Sequence, residues 1–196
     1  MNKNDLTGII LSGGKGSRLG EEKGLALFNG KPLVSYAIEV LQPICGKLII
    51  SANNQIEEYK KFGFDVVQDE FSGVGPMGGI LTCLKKSESR FNLILSCDTP
   101  FMSSAVFEYL LESADRYQVV APKHDGFVEP LCSVYATNVL WELQHSIESG
   151  NFKMYDFFKK VEFKTIDISP GLPFYSDDLF VNINTPKELK GLGGNG

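Results

Sequence analysis

Gly8-Ile9-Ile10-Leu11-Ser12-Gly13-Gly14-Lys15-Gly16-Ser17-Arg18-Leu19-Gly20 runs from a short β-branched stretch straight into a turn of glycines and cations. The first half reads as a buried strand. In the second half, glycines let backbone N–H groups close around phosphate oxygens, and Lys15 and Arg18, with Lys23 just beyond, supply positive charge. A glycine-rich turn also serves simply to pass a strand into a helix. Concentrated cations give this one a reason beyond that.

Apolar runs of the same kind recur at 47–51 (KLIIS), 65–68 (DVVQ), 91–96 (FNLILS) and 117–121 (YQVVA), separated by segments of helical periodicity. That alternation reads as βαβ units, an α/β fold with a mainly parallel central sheet. The stretch from Pro32 predicts a helix with Leu33, Tyr36, Ala37, Val40 and Leu41 on its apolar face. Further helices are expected over 55–62, 76–86, 104–116 and 136–149, with a hairpin turn at His124-Asp125-Gly126 before a strand at 131–135. A short helix at 154–160, a strand at 162–168 and an extended 180–184 follow. Thr185-Pro186-Lys187-Glu188 then opens a last helix with a capping box and proline at its first position. Residues 1–192 are expected to form one domain, and 193–196 a frayed tail.

Composition narrows the chemistry. The chain has 196 residues, 43% of them hydrophobic and 22% charged, enough for a full core. No stretch approaches a membrane span and the N-terminus does not read as a secretory signal, so a cytoplasmic location is expected. Cys45, Cys83, Cys97 and Cys132 form no CxxC pair, and His124 and His145 lie far apart, which argues against a disulfide framework or structural zinc. A net charge of −5 argues against non-specific nucleic-acid binding. Within 13–31, however, four cations face only Glu21 and Glu22, a local positive patch suited to a small anion.

Alternative phosphate-binding motifs fail on inspection. GxxxxGK[ST] does not occur, and Gly14-x-Gly16-x-x-Leu19 lacks the third glycine of the dinucleotide fingerprint. The second signal is Asp98 in Leu95-Ser96-Cys97-Asp98-Thr99-Pro100, a carboxylate at the end of a strand. There it suits magnesium, which takes one or two carboxylates plus phosphates and water; it equally suits capping the turn before Pro100. In Gly73-Val74-Gly75-Pro76-Met77-Gly78-Gly79, bare glycines such as Gly78 allow a flat base to approach the backbone. Asp69 is placed to accept hydrogen bonds from a base or ribose, or to sit solvated in its loop. Asn182 and Asn184 straddle Ile183, so in an extended segment both face one side, toward a metal, a phosphate or their own turn. His124 and His145 are expected on the surface, and no GxSxG elbow or HExxH helix offers another catalytic centre.

Together these residues resemble the molybdenum cofactor guanylyltransferase family, within the nucleotidyltransferases of three-layer Rossmann-like fold. Leu11-Ser12-Gly13-Gly14 through Arg18-Leu19-Gly20 and Lys23 is similar to that family's LxGGxxxRxGxxK signature. Asn53, Asp69, the turn Gly75 to Gly79, Cys97 to Pro100 and Asn182 to Pro186 follow in the family's order. The resemblance implies that Leu11, Ser12, Gly13, Lys23, Asn53, Asp69 and Asp98 contact the nucleotide, with Gly14, Lys15 and Gly78 beside them. It implies Mg2+ on Asp98, with Asn184 as a second ligand, and catalytic roles for Arg18, Lys23 and Asp98. The family's acceptor side shows more arginine than the Lys153, Lys159 and Lys160 present here; Asn182 and Lys153 are the acceptor-binding candidates. LxGG rather than LAAG implies guanine. The expected reaction is transfer of GMP from GTP to the terminal phosphate of molybdopterin, with pyrophosphate released. Expected partners are GTP, molybdopterin or molybdenum cofactor, and cofactor-inserting proteins or apo-molybdoenzymes. A sister cytidylyl- or guanylyltransferase with another phosphorylated acceptor, or a nucleotide-binding regulator without turnover, are the rival readings.

Overall fold

Ile9 and Ile10 point to opposite faces of the first strand and both are fully buried, so the strand has a helix layer on each side. The computed structural model describes residues 2–13, 22–71 and 73–191. In chain order it contains β1 (Leu6–Leu11), a ribbon of β2 (Leu27–Phe28) and β3 (Lys31–Pro32), α1 (Leu33–Leu41), β4 (Lys47–Ser51), α2 (Ile56–Lys60), β5 (Asp65–Val67) and α3 (Pro76–Lys86). Then come β6 (Phe91–Ser96), α4 (Ser104–Ala114), β7 (Val119–His124), β8 (Phe127–Val128), β9 (Cys132–Ala136), α5 (Leu140–Glu148), α6 (Met154–Phe158), β10 (Phe163–Asp167) and α7 (Pro186–Gly191).

The central sheet runs β10-β7-β9-β6-β1-β4-β5, with β8 paired to β7. Ile9 of β1 sits opposite Ile49 of β4 on one side and Ile94 of β6 on the other, all parallel. β9 is antiparallel to both β6 and β7. Parallel neighbours require crossover helices, and these make the two outer layers. Val34, Ala37, Ile38 and Leu41 of α1, Tyr59 of α2 and Phe107 and Leu110 of α4 cover one face. Met77, Ile80, Leu81 and Leu84 of α3, Leu143 and Ile147 of α5 and Phe157 of α6 cover the other. The fold is the mainly parallel three-layer α/β arrangement that the strand pattern predicts.

Several local expectations need correction. The buried face of α1 is Leu33, Val34, Ala37, Ile38 and Leu41, whereas Tyr36 and Val40 lie at its margin. The β2–β3 ribbon was not anticipated; Asn29 and Gly30 both take positive φ, 49° and 76°, which suits the tight turn of a two-residue hairpin. Residues 181–184 form no strand. Ile183 nevertheless buries completely and its N–H donates to the Asp98 carbonyl at 2.8 Å, pinning this segment to the end of β6. The capping box forms as predicted: Glu188 N–H donates to Thr185 Oγ1, and Glu188 Oε2 accepts from the N–H groups of Asn184 and Thr185.

Candidate nucleotide site

The parallel strands deliver their C-terminal ends to one edge of the sheet, where open α/β folds hold ligands. Two groups of polar side chains meet there. Asn53, two residues past β4, and Asp69, two past β5, bond to each other twice: Asn53 Nδ2 donates to Asp69 Oδ2 at 2.8 Å, and Asp69 N–H donates to Asn53 Oδ1 at 3.1 Å. Ser51 Oγ donates to the other carboxylate oxygen, Asp69 Oδ1, at 2.7 Å. Each oxygen keeps a lone pair for a further donor. Ser51 was not singled out from sequence, since a serine at a strand end carries no signal until its neighbour is known.

The second group surrounds Lys23. Its ammonium donates to Asp98 Oδ2 at 2.5 Å and to Asn184 Oδ1 at 2.6 Å. The lysine and aspartate side chains are only 18% and 13% exposed, so the pair is largely shielded from water. Two of three ammonium protons are used, and one remains for a ligand. Asp98 Oδ1 is buried with no hydrogen-bond partner among the described residues. A buried carboxylate oxygen lacking a donor is costly, and a hard cation suits that vacancy in its bonding. No group of three or more metal-ligating His, Cys, Asp or Glu occurs among the described residues, so a cation at Asp98 would draw its other ligands from phosphates, water or amide oxygens such as that of Asn184. Beside it, burial and the Asp98 charge push the Cys97 thiol up to about 12, which keeps it a neutral thiol and no nucleophile.

Other predicted site residues fall differently. Leu11 ends β1, buried, its carbonyl accepting from Cys97 N–H. The N–H groups of Ser12 and Gly13 both donate to the Ser51 carbonyl, at 2.9 and 3.1 Å, so they are not free to cradle phosphate as expected. Gly14, Lys15 and Arg18 lie outside the described residues. A Cβ on Gly78 would meet Val74 Cγ2 at 2.8 Å and the Phe71 carbonyl at 2.9 Å, so Gly78 packs against its own loop and does not face a ligand. Gly79 is the residue that faces the polar group, within 2.7 Å of Ser51 Oγ and 3.2 Å of Asp69 Oδ1 by the same construction. Asn182 donates its amide to the Phe180 carbonyl, so it and Asn184 do not act on one partner. Lys153 is exposed at the start of α6 and joins neither polar group through a hydrogen bond or ion pair among the described residues. Lys159 and Lys160 pair with Asp156 and Glu142. His145 is exposed, as expected, but His124 packs between Tyr175 and Phe180, with ring centroids 6.0 and 5.0 Å away. Glu22 was also overlooked: adjacent to Glu21 it reads as surface charge, yet it is 8% exposed, and burial raises its carboxyl above the ordinary value.

A sheet between two helix layers, with these charged and polar groups gathered at the ends of β4, β5 and β6, defines the nucleotidyltransferase class. The model of the MobA-like NTP transferase domain matches residues 8–163, and the chain belongs to that family. A molybdenum cofactor guanylyltransferase from Vibrio parahaemolyticus is 35% identical over 188 residues, covering 94% of this chain and 93% of the relative. One from Vibrio campbellii is 34% identical with the same coverage of 94% and 93%. The crystal structure of molybdopterin-guanine dinucleotide biosynthesis protein A from Archaeoglobus fulgidus superposes with a TM-score of 0.81 at 26% identity, covering 95% of this chain and 96% of that one.

Proposed function

We propose that this nucleotidyltransferase moves GMP from GTP to the terminal phosphate of molybdopterin, acting in the cytoplasm as a magnesium-dependent guanylyltransferase. The observation that carries the reading is the bridge from Lys23 to Asp98 and Asn184 at the sheet edge, beside the Ser51–Asn53–Asp69 group. The guanylyltransferase names of relatives aligned over almost the whole chain support the choice of reaction. Four free, buried cysteines suit a reducing compartment.

In this reading Asp69 accepts N–H groups of the guanine, held rigid by Asn53 and Ser51, while Gly79 leaves room for the flat ring. Lys23 directs its remaining proton to the α-phosphate. An oxygen of the molybdopterin phosphate attacks the α-phosphorus in line, forming a new P–O bond as the bond to the β-phosphate oxygen breaks and pyrophosphate departs. The attacking phosphate is already anionic near neutral pH, so no side chain need remove a proton. The protein's work is positioning and charge neutralisation. Magnesium, held by Asp98 with Asn184 beside it, would neutralise phosphate charge.

Purified protein, Mg2+, GTP and molybdopterin are expected to release pyrophosphate and form the guanine dinucleotide, with CTP, ATP and UTP inactive. Turnover with CTP, or with a different phosphorylated acceptor only, would assign the chain to a sister transferase. Nucleotide binding without turnover would mark it as a regulator.

A further inference from the structure

Glu22 buries a carboxylate with no cation within ion-pair distance among the described residues. Such burial is unfavourable unless the oxygens are bonded. Here Glu22 Oε2 accepts from Asn54 Nδ2 at 3.2 Å, and Oε1 accepts a longer bond from the Tyr59 hydroxyl at 3.5 Å. Asn54 directly follows Asn53 after β4, and Tyr59 lies in α2, the next helix. The Glu22 carbonyl accepts from the N–H groups of Leu25 and Ala26, closing a single helical turn over Lys23–Leu25. That turn is pressed onto the same support: a Cβ on Gly24 would collide with the Tyr59 hydroxyl and meet Ser12 Cβ and Oγ at 3.0 Å. At the other end of the glycine-rich segment, Ser12 and Gly13 donate to Ser51. Ser12 and Gly13 are thus bonded to the end of β4, and Glu22 to Asn54 and to Tyr59 of α2.

We propose that Glu22 is a positioning residue: by pinning the 22–25 turn to Asn54 and Tyr59, it sets Lys23 on Asp98 and Asn184. Its catalytic consequence rests on the guanylyl-transfer reading. Lysine has a long, rotatable stem, and ordering it is entropically unfavourable. A backbone fixed next to it removes part of that cost, which gives the buried carboxylate one residue away a role at the site.

Five proteins test this: wild type, Glu22→Ala, Lys23→Ala, the double variant and Tyr59→Phe. The first readout needs no acceptor. Amine labelling followed by mass spectrometry compares the rate at Lys23 with that at Lys61, which is 68% exposed. Glu22→Ala is expected to speed labelling of Lys23 at least fivefold with Lys61 unchanged. Tyr59→Phe, which removes one bond and little volume, should shift it the same way by less and serves if Glu22→Ala does not fold. The second readout is kcat for guanylyl transfer, expected to fall at least tenfold in Glu22→Ala yet less than twofold further when Glu22→Ala is added to Lys23→Ala. Unchanged Lys23 labelling in folded variants, or losses that multiply in the double variant, would overturn the proposal. A wild type that transfers no guanylyl group overturns the proposed reaction instead, and the labelling result still decides whether Glu22 places Lys23.

Discussion

Lys23 reaches 75 residues along the chain to hold Asp98 at 2.5 Å and, by the same ammonium, Asn184 at 2.6 Å. Three segments thus converge on one cation: the turn after the glycine-rich segment, the end of β6 and the irregular 181–184, which Ile183 ties to the Asp98 backbone. Asp98→Asn keeps the shape but removes the charge that both Lys23 and a metal would use. Turnover is expected to fall about 10²–10³-fold, the usual loss for one charge-stabilising group in a phosphoryl or acyl transfer site. Pyrophosphate release, measured beside a melting curve showing an intact fold, checks this; near-normal turnover would mean that Asp98 holds no metal needed for the reaction.

In the proposed reading, base selection falls to Asp69. Its carboxylate is oriented by Asn53 and Ser51 rather than left to rotate in solvent, so its free lone pairs have a fixed direction. Asp69→Asn turns one acceptor into a donor, which would face the N–H edge of guanine in that reading. Hydrogen bonds to charged groups contribute about 1.5–3 kcal/mol, so affinity for GTP should drop roughly 10–100-fold while ATP, bound weakly, changes little. Titration calorimetry with both nucleotides gives the answer, and an equal loss for the two would remove Asp69 from base recognition.

The contrast between what sequence shows and what it hides follows from range. FNLILS at 91–96 and Pro76 opening α3 are legible because strand runs and helix starts are local properties. The hairpin at Asn29-Gly30 was not read, because its flanking strands are only two residues each and leave no apolar alternation to detect. The Gly78-Gly79 pair could not be oriented, because glycine has no side chain whose polarity would reveal the facing side. Nor does the pair Glu21-Glu22 mark Glu22 as buried: its burial depends on packing against Asn54 and Tyr59, more than thirty residues later. The free N–H groups assumed at Ser12 and Gly13 are taken by a carbonyl on a neighbouring strand, a pairing that no local pattern encodes.

Gly78 and Gly79 give opposite outcomes on substitution. A methyl at Gly79 lands 2.7 Å from Ser51 Oγ, a side chain that can rotate away, and displaces it from Asp69. Gly79→Ala is expected to lower GTP affinity about tenfold with a small change in melting temperature. A methyl at Gly78 meets the Phe71 backbone carbonyl at 2.9 Å, which cannot move alone. Overpacking of that kind costs about 1–3 kcal/mol, or roughly 3–10 °C in a chain this size, with GTP affinity retained by the folded protein. Melting curves and calorimetry on the two variants separate the roles; matched effects on both readouts would mean that neither glycine faces the nucleotide.

Glu22 leaves a signature in the dependence of stability on pH. Burial raises its folded-state carboxyl above the ordinary 4.5, while hydrogen bonds from Asn54 and Tyr59 act in the opposite sense and only partly offset it. Between 4.5 and the raised value the folded protein holds a proton that the unfolded chain has already released. Stability therefore falls as pH rises through that window and then stays level, since above it both states are ionised. Glu22→Gln has no proton to lose and removes this contribution. The melting temperature of wild type relative to Glu22→Gln should decline as pH climbs from about 4.5 and become constant toward neutrality. A difference that stays flat throughout would show that the hydrogen bonds balance burial, and one that grows in favour of the wild type as pH rises that they outweigh it; either would overturn a raised carboxyl.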